Sequence, residues 1–115
     1  MSQSHLDVLR SLLERVTLDP DSRNAIECKL FFSGAAAYAN GRIFMTLTTV
    51  GLALKLPEES RAALMKRGAR PLRYFAKAPV KKVYVILPQT LAKDDVALAS
   101  WIKESIRFSR APKSR

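Results

Sequence analysis

The clearest pattern in the chain is helical. In SHLDVLRSLLERV, Leu6, Leu9, Leu13 and Val16 recur three and four residues apart, while Arg10, Glu14 and Arg15 fall away from that stripe. Ser4 and Asp7 have the spacing of a capping box at its start. A turn-rich connection, LDPDSRN (18–24), follows. The period then changes from 3.6 to 2. Residues 26–32 alternate Ile26, Cys28, Leu30 and Phe32 against Glu27, Lys29 and Phe31, which predicts a strand. Ser33-Gly34 is expected to bend it before it continues as AAAYA.

Asn40-Gly41 is a hairpin signal, because both residues tolerate the positive φ of a tight type I′ turn. RIFMTLT follows as a strand, with a second turn near Thr49 to Gly51 and then LALKL. LPEESRAALMKRG predicts a short helix. Pro57 suits its first turn, Glu58 and Glu59 its positive end, and Lys66 and Arg67 its negative end, with Gly68 as a left-handed stop. Residues 72–77 and 82–87 read as strands with Pro79 between them, and Pro88 closes the second. Asp94 is placed to cap a last helix carrying Leu98, Trp101, Ile102 and Ile106. SRAPKSR (109–115) is a basic tail.

The order α-β-β-β-α-β-β-α, with short links and hairpin turns, predicts an α+β fold. Its expected form is two-layer: an antiparallel sheet of about five strands with helices packed on one face. At 115 residues the chain is the size of one domain, taken as 1–115 with about 5–108 ordered. No apolar run approaches the roughly 20 residues of a membrane span, and the N-terminus lacks the pattern of a signal peptide. Cys28 is the sole cysteine, so an intrachain disulfide is excluded and a cytoplasmic location is expected. Its alternation with Ile26 and Leu30 makes it a small core residue.

Catalytic chemistry finds little support. His5 is the only histidine and lies in the first helical turn, so neither a nucleophile–base pair nor a metal-ligand cluster is available. Glu58-Glu59 and Asp94-Asp95 stand where helices begin and read as helix-start residues. No glycine-rich phosphate loop is present. The expectation is no catalytic residues, no cofactor and no metal.

Charge changes the picture. The net charge is +10, yet residues 1–60 carry six basic and seven acidic side chains, and residues 61–115 carry fourteen and three. RAALMKRGARPLRYFAKAPVKK (61–82) has eight cations and no acid. On a helical wheel Lys66 and Arg67 share the outer side, while Arg61 falls near the apolar side and needs to snorkel or find a partner. With Val83 and Leu72 toward the helices, the far sheet face carries Phe75, Tyr84 and Ile86 among Arg73, Lys77 and Lys82. Phe44 joins them if its strand keeps the same sense. If a helix covers this side too, these residues are simply core; an open face has two readings. It is a protein interface centred on Phe44, Phe75, Tyr84 and Ile86, with a homodimer as its simplest form. Alternatively, Arg67, Arg70, Arg73, Lys77, Lys81 and Lys82 contact nucleic acid.

FFSGAAAYANGRIF (31–44) resembles the segment MFGGYGIYLDGKVF of the N-terminal domain of the TfoX/Sxy family, with Phe32, Gly34, Tyr38, Gly41 and Phe44 in matching places. LALKL is similar to the family's LYLKV, GARPLRY to its Gly-Ala-x-Pro-Phe-x-Tyr, and YVILP to its Tyr-x-x-Leu-Pro. Trp101 stands where a helix tryptophan is usual. The likeness spans about residues 5–108. Ser33, Ala35 and Ala36 depart from the family pattern, and a short form without the C-terminal helical domain of longer members is expected. The resemblance implies an α+β fold and a bacterial regulatory role in natural competence, exercised with the cyclic-AMP receptor protein at promoters. It implies no catalytic residues. Many short members have no assigned role.

Overall fold

In the computed structural model of the chain, residues 2–31, 34–72 and 81–110 are described. Eleven elements follow one another among these residues: α1 (Ser2–Arg15), α2 (Pro20–Ala25), β1 (Ile26–Phe31), β2 (Gly34–Ala39), β3 (Arg42–Thr48), β4 (Gly51–Lys55), α3 (Glu58–Met65), β5 (Arg70–Leu72), β6 (Lys81–Ile86), α4 (Gln89–Ala92) and α5 (Asp95–Arg110). The strands form one antiparallel sheet in the order β1-β2-β3-β4-β6-β5. The expected α+β class holds, with six strands among the described residues in place of about five.

The extra strand comes from residues 26–39. They form not one bent strand but a hairpin, with Phe31 opposite Gly34 and Ile26 opposite Ala39. Gly34 permits this because β3 passes very close. A Cβ built there would lie 2.2 Å from the Leu47 carbonyl oxygen and 2.9 Å from Thr48 Cα. Asn40 and Gly41 take φ of 52° and 81°, as the β2–β3 turn requires.

The connection at 18–24 also holds more order than its composition suggested. Asp19 accepts from the Ser22 amide at 3.0 Å, and Pro20 opens α2, a standard start for a helix. Hydrogen bonds from the Ser22 hydroxyl, at 2.7 Å, and from its amide hold the Asp19 carboxyl below its usual pKa. Arg23 then reaches back to the end of α1, donating to the Leu13 carbonyl in its last turn and to the Val16 carbonyl just beyond it. Ser4 lies inside α1, which begins at Ser2, so it does not cap that helix.

A single apolar cluster joins the helices to one sheet face. It contains Leu6, Leu9, Leu13 and Val16 of α1, Leu64 of α3, Leu91 of α4, and Leu98, Ile102 and Ile106 of α5. The sheet contributes Ala35, Ala37, Met45, Leu54 and Val85. Four alanines in six residues of β2 keep this strand thin where α1 crosses it. Asp94 caps α5 as expected, accepting from the Ala97 amide at 3.2 Å.

Candidate functional site

The sheet has a second face, and cross-strand register identifies it. Thr46 lies opposite Ala36 and Ala53, Ala53 opposite Ile86, and Lys55 opposite Tyr84. Side chains alternate across a strand, so these positions point away from Met45, Leu54 and Val85 and hence away from the helices. A separate apolar cluster sits here. Ala53, Leu72 and Ile86 form its buried part, with Val50 and Tyr84 partly buried against it. Among the described residues no helical one belongs to it.

The expected interface residues separate on this frame. Tyr84 is on the outer face and half-buried. Ile86 is on the same face but only 5% exposed, so it forms the floor of the patch rather than a contact. Phe75 lies outside the described residues. Phe44 is a correction: it is 0% exposed in the helix-side core and does not belong to the interface set. The cause is a β-bulge. Ala37 pairs with Met45, but the next residue, Tyr38, pairs with Ile43, which leaves Phe44 as the extra residue of β3. Strict alternation breaks there, and Phe44 and Met45 both enter the helix-side core. Leu72 is also opposite to expectation. The β5–β6 register shifts between Pro71 and Leu72, and Leu72 packs with Ile86 on the outer face.

The basic residues divide similarly. Lys66, Arg67 and Arg70 are exposed around the end of α3 and the start of β5. None of them takes part in the ion pairs found among the described residues. Arg61 turns inward and donates from Nε to the Leu56 carbonyl at 2.9 Å, which satisfies it without an acid. Arg73 and Lys77 lie outside the described residues, as do the side chains of Lys81 and Lys82, whose backbones belong to β6.

Two of the clefts among the described residues lie elsewhere. One, of about 400 Å³, runs between α1, α2 and β1 and is lined by Arg10, Leu13, Glu14, Arg23, Ile26 and Cys28. The half-buried Cys28 thiol has its pKa raised by that burial, partly opposed by Arg10. A protonated thiol is a poor nucleophile, so Cys28 does not have the setting of a reactive cysteine. The other cleft, about 360 Å³, lies beside α5 around Thr17, Val96 and Lys103. His5 is half-buried, with Nδ1 shielded and without a hydrogen-bond partner. Among the described residues no three His, Cys, Asp or Glu side chains gather where they could hold a metal ion. No helix among them is long and apolar enough to cross a membrane.

No curated protein matches the chain. The family model described as the TfoX N-terminal domain matches residues 21–109, from α2 through nearly all of α5. That match covers the whole sheet, both of its faces and the bulged β3. On that evidence the chain belongs to the TfoX N-terminal domain family.

Proposed function

We propose that this domain is a non-enzymatic regulatory or adaptor module that acts through protein contacts on the outer sheet face. The observation that carries this reading is the second apolar cluster, built by Val50, Ala53, Leu72, Tyr84 and Ile86 without any described helical residue. Its centre (Ala53, Leu72 and Ile86) is buried, and the half-buried Val50 and Tyr84 are the part of it left to meet a partner. Tyr84 suits the centre of such a contact, since a tyrosine presents a broad apolar ring and a polar tip. Lys55, opposite Tyr84, and the cations of the C-terminal half supply a charged rim. The chain belongs to the TfoX N-terminal domain family, and the competence role that this resemblance implies supports the regulatory half of the reading.

The test is affinity capture from native lysate, with and without nuclease, using the wild type and Tyr84→Glu. The expected result is a protein partner that survives nuclease and is lost with the substitution. Retention that nuclease abolishes, or that ignores Tyr84→Glu, overturns the reading.

One observation favours a second use of the surface. Lys66, Arg67 and Arg70 stand together and exposed at the α3–β5 junction, outside the ion pairs of the described residues. That arrangement offers phosphate contacts. Binding through several such contacts weakens steeply with salt, whereas an apolar contact barely responds. Anisotropy titrations against single- and double-stranded DNA at low and moderate salt separate the two. Absence of binding at low salt removes the nucleic-acid reading.

A further inference from the structure

At the far end of the sheet from β5, β1 is an edge strand, and no described strand pairs with its outer side. Its backbone direction is fixed by one bond. The Asn40 amide donates to the Ala25 carbonyl at 3.1 Å. Backbone groups alternate in direction along an antiparallel strand, so Ala25, Glu27, Lys29 and Phe31 face β2, and Ile26, Cys28 and Leu30 face outward. The Ile26 amide is engaged, donating to the Arg23 carbonyl at the end of α2. The Ile26 carbonyl and the backbone groups of Cys28 and Leu30 have no partner among the described residues. Leu30 is also 55% exposed, high for a leucine in a strand.

We infer that β1 pairs antiparallel with β1 of a second copy around a two-fold axis through Cys28, joining two sheets into one. The sequence Ile26-Glu27-Cys28-Lys29-Leu30 is complementary to its own reverse. In this register Glu27 faces Lys29 of the second copy, and Lys29 faces its Glu27. Ile26 faces Leu30, which covers the exposed leucine. Cys28 exchanges a pair of backbone bonds with its equivalent, and each Leu30 amide donates to the Ile26 carbonyl across the axis. The free carbonyl at Ile26 fits that pattern, while its amide, already donating to Arg23, leaves the Leu30 carbonyl at each end of the joint to solvent.

Charge also selects this register over its neighbours. A slip one way sets Lys29 against Lys29, and a slip the other way sets Glu27 against Glu27. Like charges directly opposite are unfavourable, and opposite charges are favourable. A lysine on an edge strand ordinarily discourages pairing. Here it is matched, because Glu27 and Lys29 already sit side by side on one face of β1 at 3.8 Å. In the joined sheet they form a four-charge group across the axis. This dimer is independent of the outer-face contact, since it uses the sheet edge and leaves Tyr84 uncovered.

The test is the oligomeric state by sedimentation velocity and light scattering at submillimolar concentration, for the wild type, Glu27→Lys, Lys29→Glu and an equimolar mixture of the two variants. The wild type is expected to dimerise. Each variant converts opposite-charge pairs into like-charge pairs and is expected to weaken association by about tenfold or more, with unchanged circular dichroism. The mixture is expected to restore a heterodimer, a result that loss of folding cannot mimic. Leu30→Pro removes an outward amide without touching the β1–β2 ladder, and is expected to give a folded monomer. A monomeric wild type, or a dimer unaffected by Glu27→Lys and Lys29→Glu, overturns the inference.

Discussion

The hydroxyl of Ser105 on α5 lies 2.8 Å from the carbonyl oxygen of Phe44, the residue that the bulge removes from the ladder of β3. The same hydroxyl lies 2.7 Å from the Lys55 carbonyl at the end of β4. One turn later Ser109 donates toward the Ile43 carbonyl at 3.2 Å, and Arg42 donates to the Ser109 carbonyl. A short polar seam thus ties α5 to the one place where β3 is irregular. Bulges leave backbone groups unpaired, and a buried carbonyl without a donor is costly. Ser105→Ala is therefore expected to lower stability by about 1–3 kcal/mol, read as a lower urea midpoint. Ser105→Thr, which keeps the hydroxyl, is expected to recover part of it.

Thr46 presents the opposite case. It is 0% exposed, and its Oγ1 has no hydrogen-bond partner. Valine has nearly the same shape without the polar atom, and a β-branched residue suits a strand. Thr46→Val is expected to stabilise the fold by about 1 kcal/mol in the same denaturant titration.

Gly34 carries a steric prediction. An added Cβ would collide with the Leu47 carbonyl and Thr48 Cα, both backbone atoms that cannot swing aside. Gly34→Ala is expected to force β2 and β3 apart and destabilise by about 3 kcal/mol or more. Loss of the β2–β3 amide protection in hydrogen exchange, with α5 protection reduced less, is the expected signature.

The Cys28 thiol has a pKa raised by burial. Its folded-state pKa therefore exceeds the unfolded one, and the unfolded chain ionises first as pH rises. The sign follows directly: this contribution to stability is complete below the unfolded thiol pKa and is lost as pH climbs through the folded value. Denaturation midpoints are expected to fall on the alkaline side in the wild type more than in Cys28→Ala. Alkylation by iodoacetamide at neutral pH is expected to be slower in the folded protein than in urea.

Much of the architecture was readable from periodicity alone. The stripe of Leu6, Leu9, Leu13 and Val16, the Asn40-Gly41 turn and the Asp94 cap each pair a local pattern with one physical cause, and each stands in the structure. Local patterns also contained α2, since Asp19-Pro20 is a helix start, but the surrounding polar residues hid it behind a turn-like composition. The outer face was harder. Its membership depends on which way each strand faces, and a bulge is invisible to period-2 counting. One extra residue at Phe44 and one register shift at Leu72 moved both side chains to the face opposite the one expected. Tyr84 and Ile86 were placed on the correct face because β6 stays regular through its pairing with β4. The burial of Ile86 is not legible in the sequence, since exposure depends on neighbours that a single strand does not reveal.

The most direct measurement of the proposed role is amide chemical-shift mapping of the isotope-labelled domain during titration with the nuclease-resistant partner recovered by capture. Perturbations confined to Val50, Ala53, Tyr84 and Ile86 are the expected result. Perturbations centred on Arg67 and Arg70, or on the exposed sides of α1 and α5, would contradict a contact on the outer sheet face.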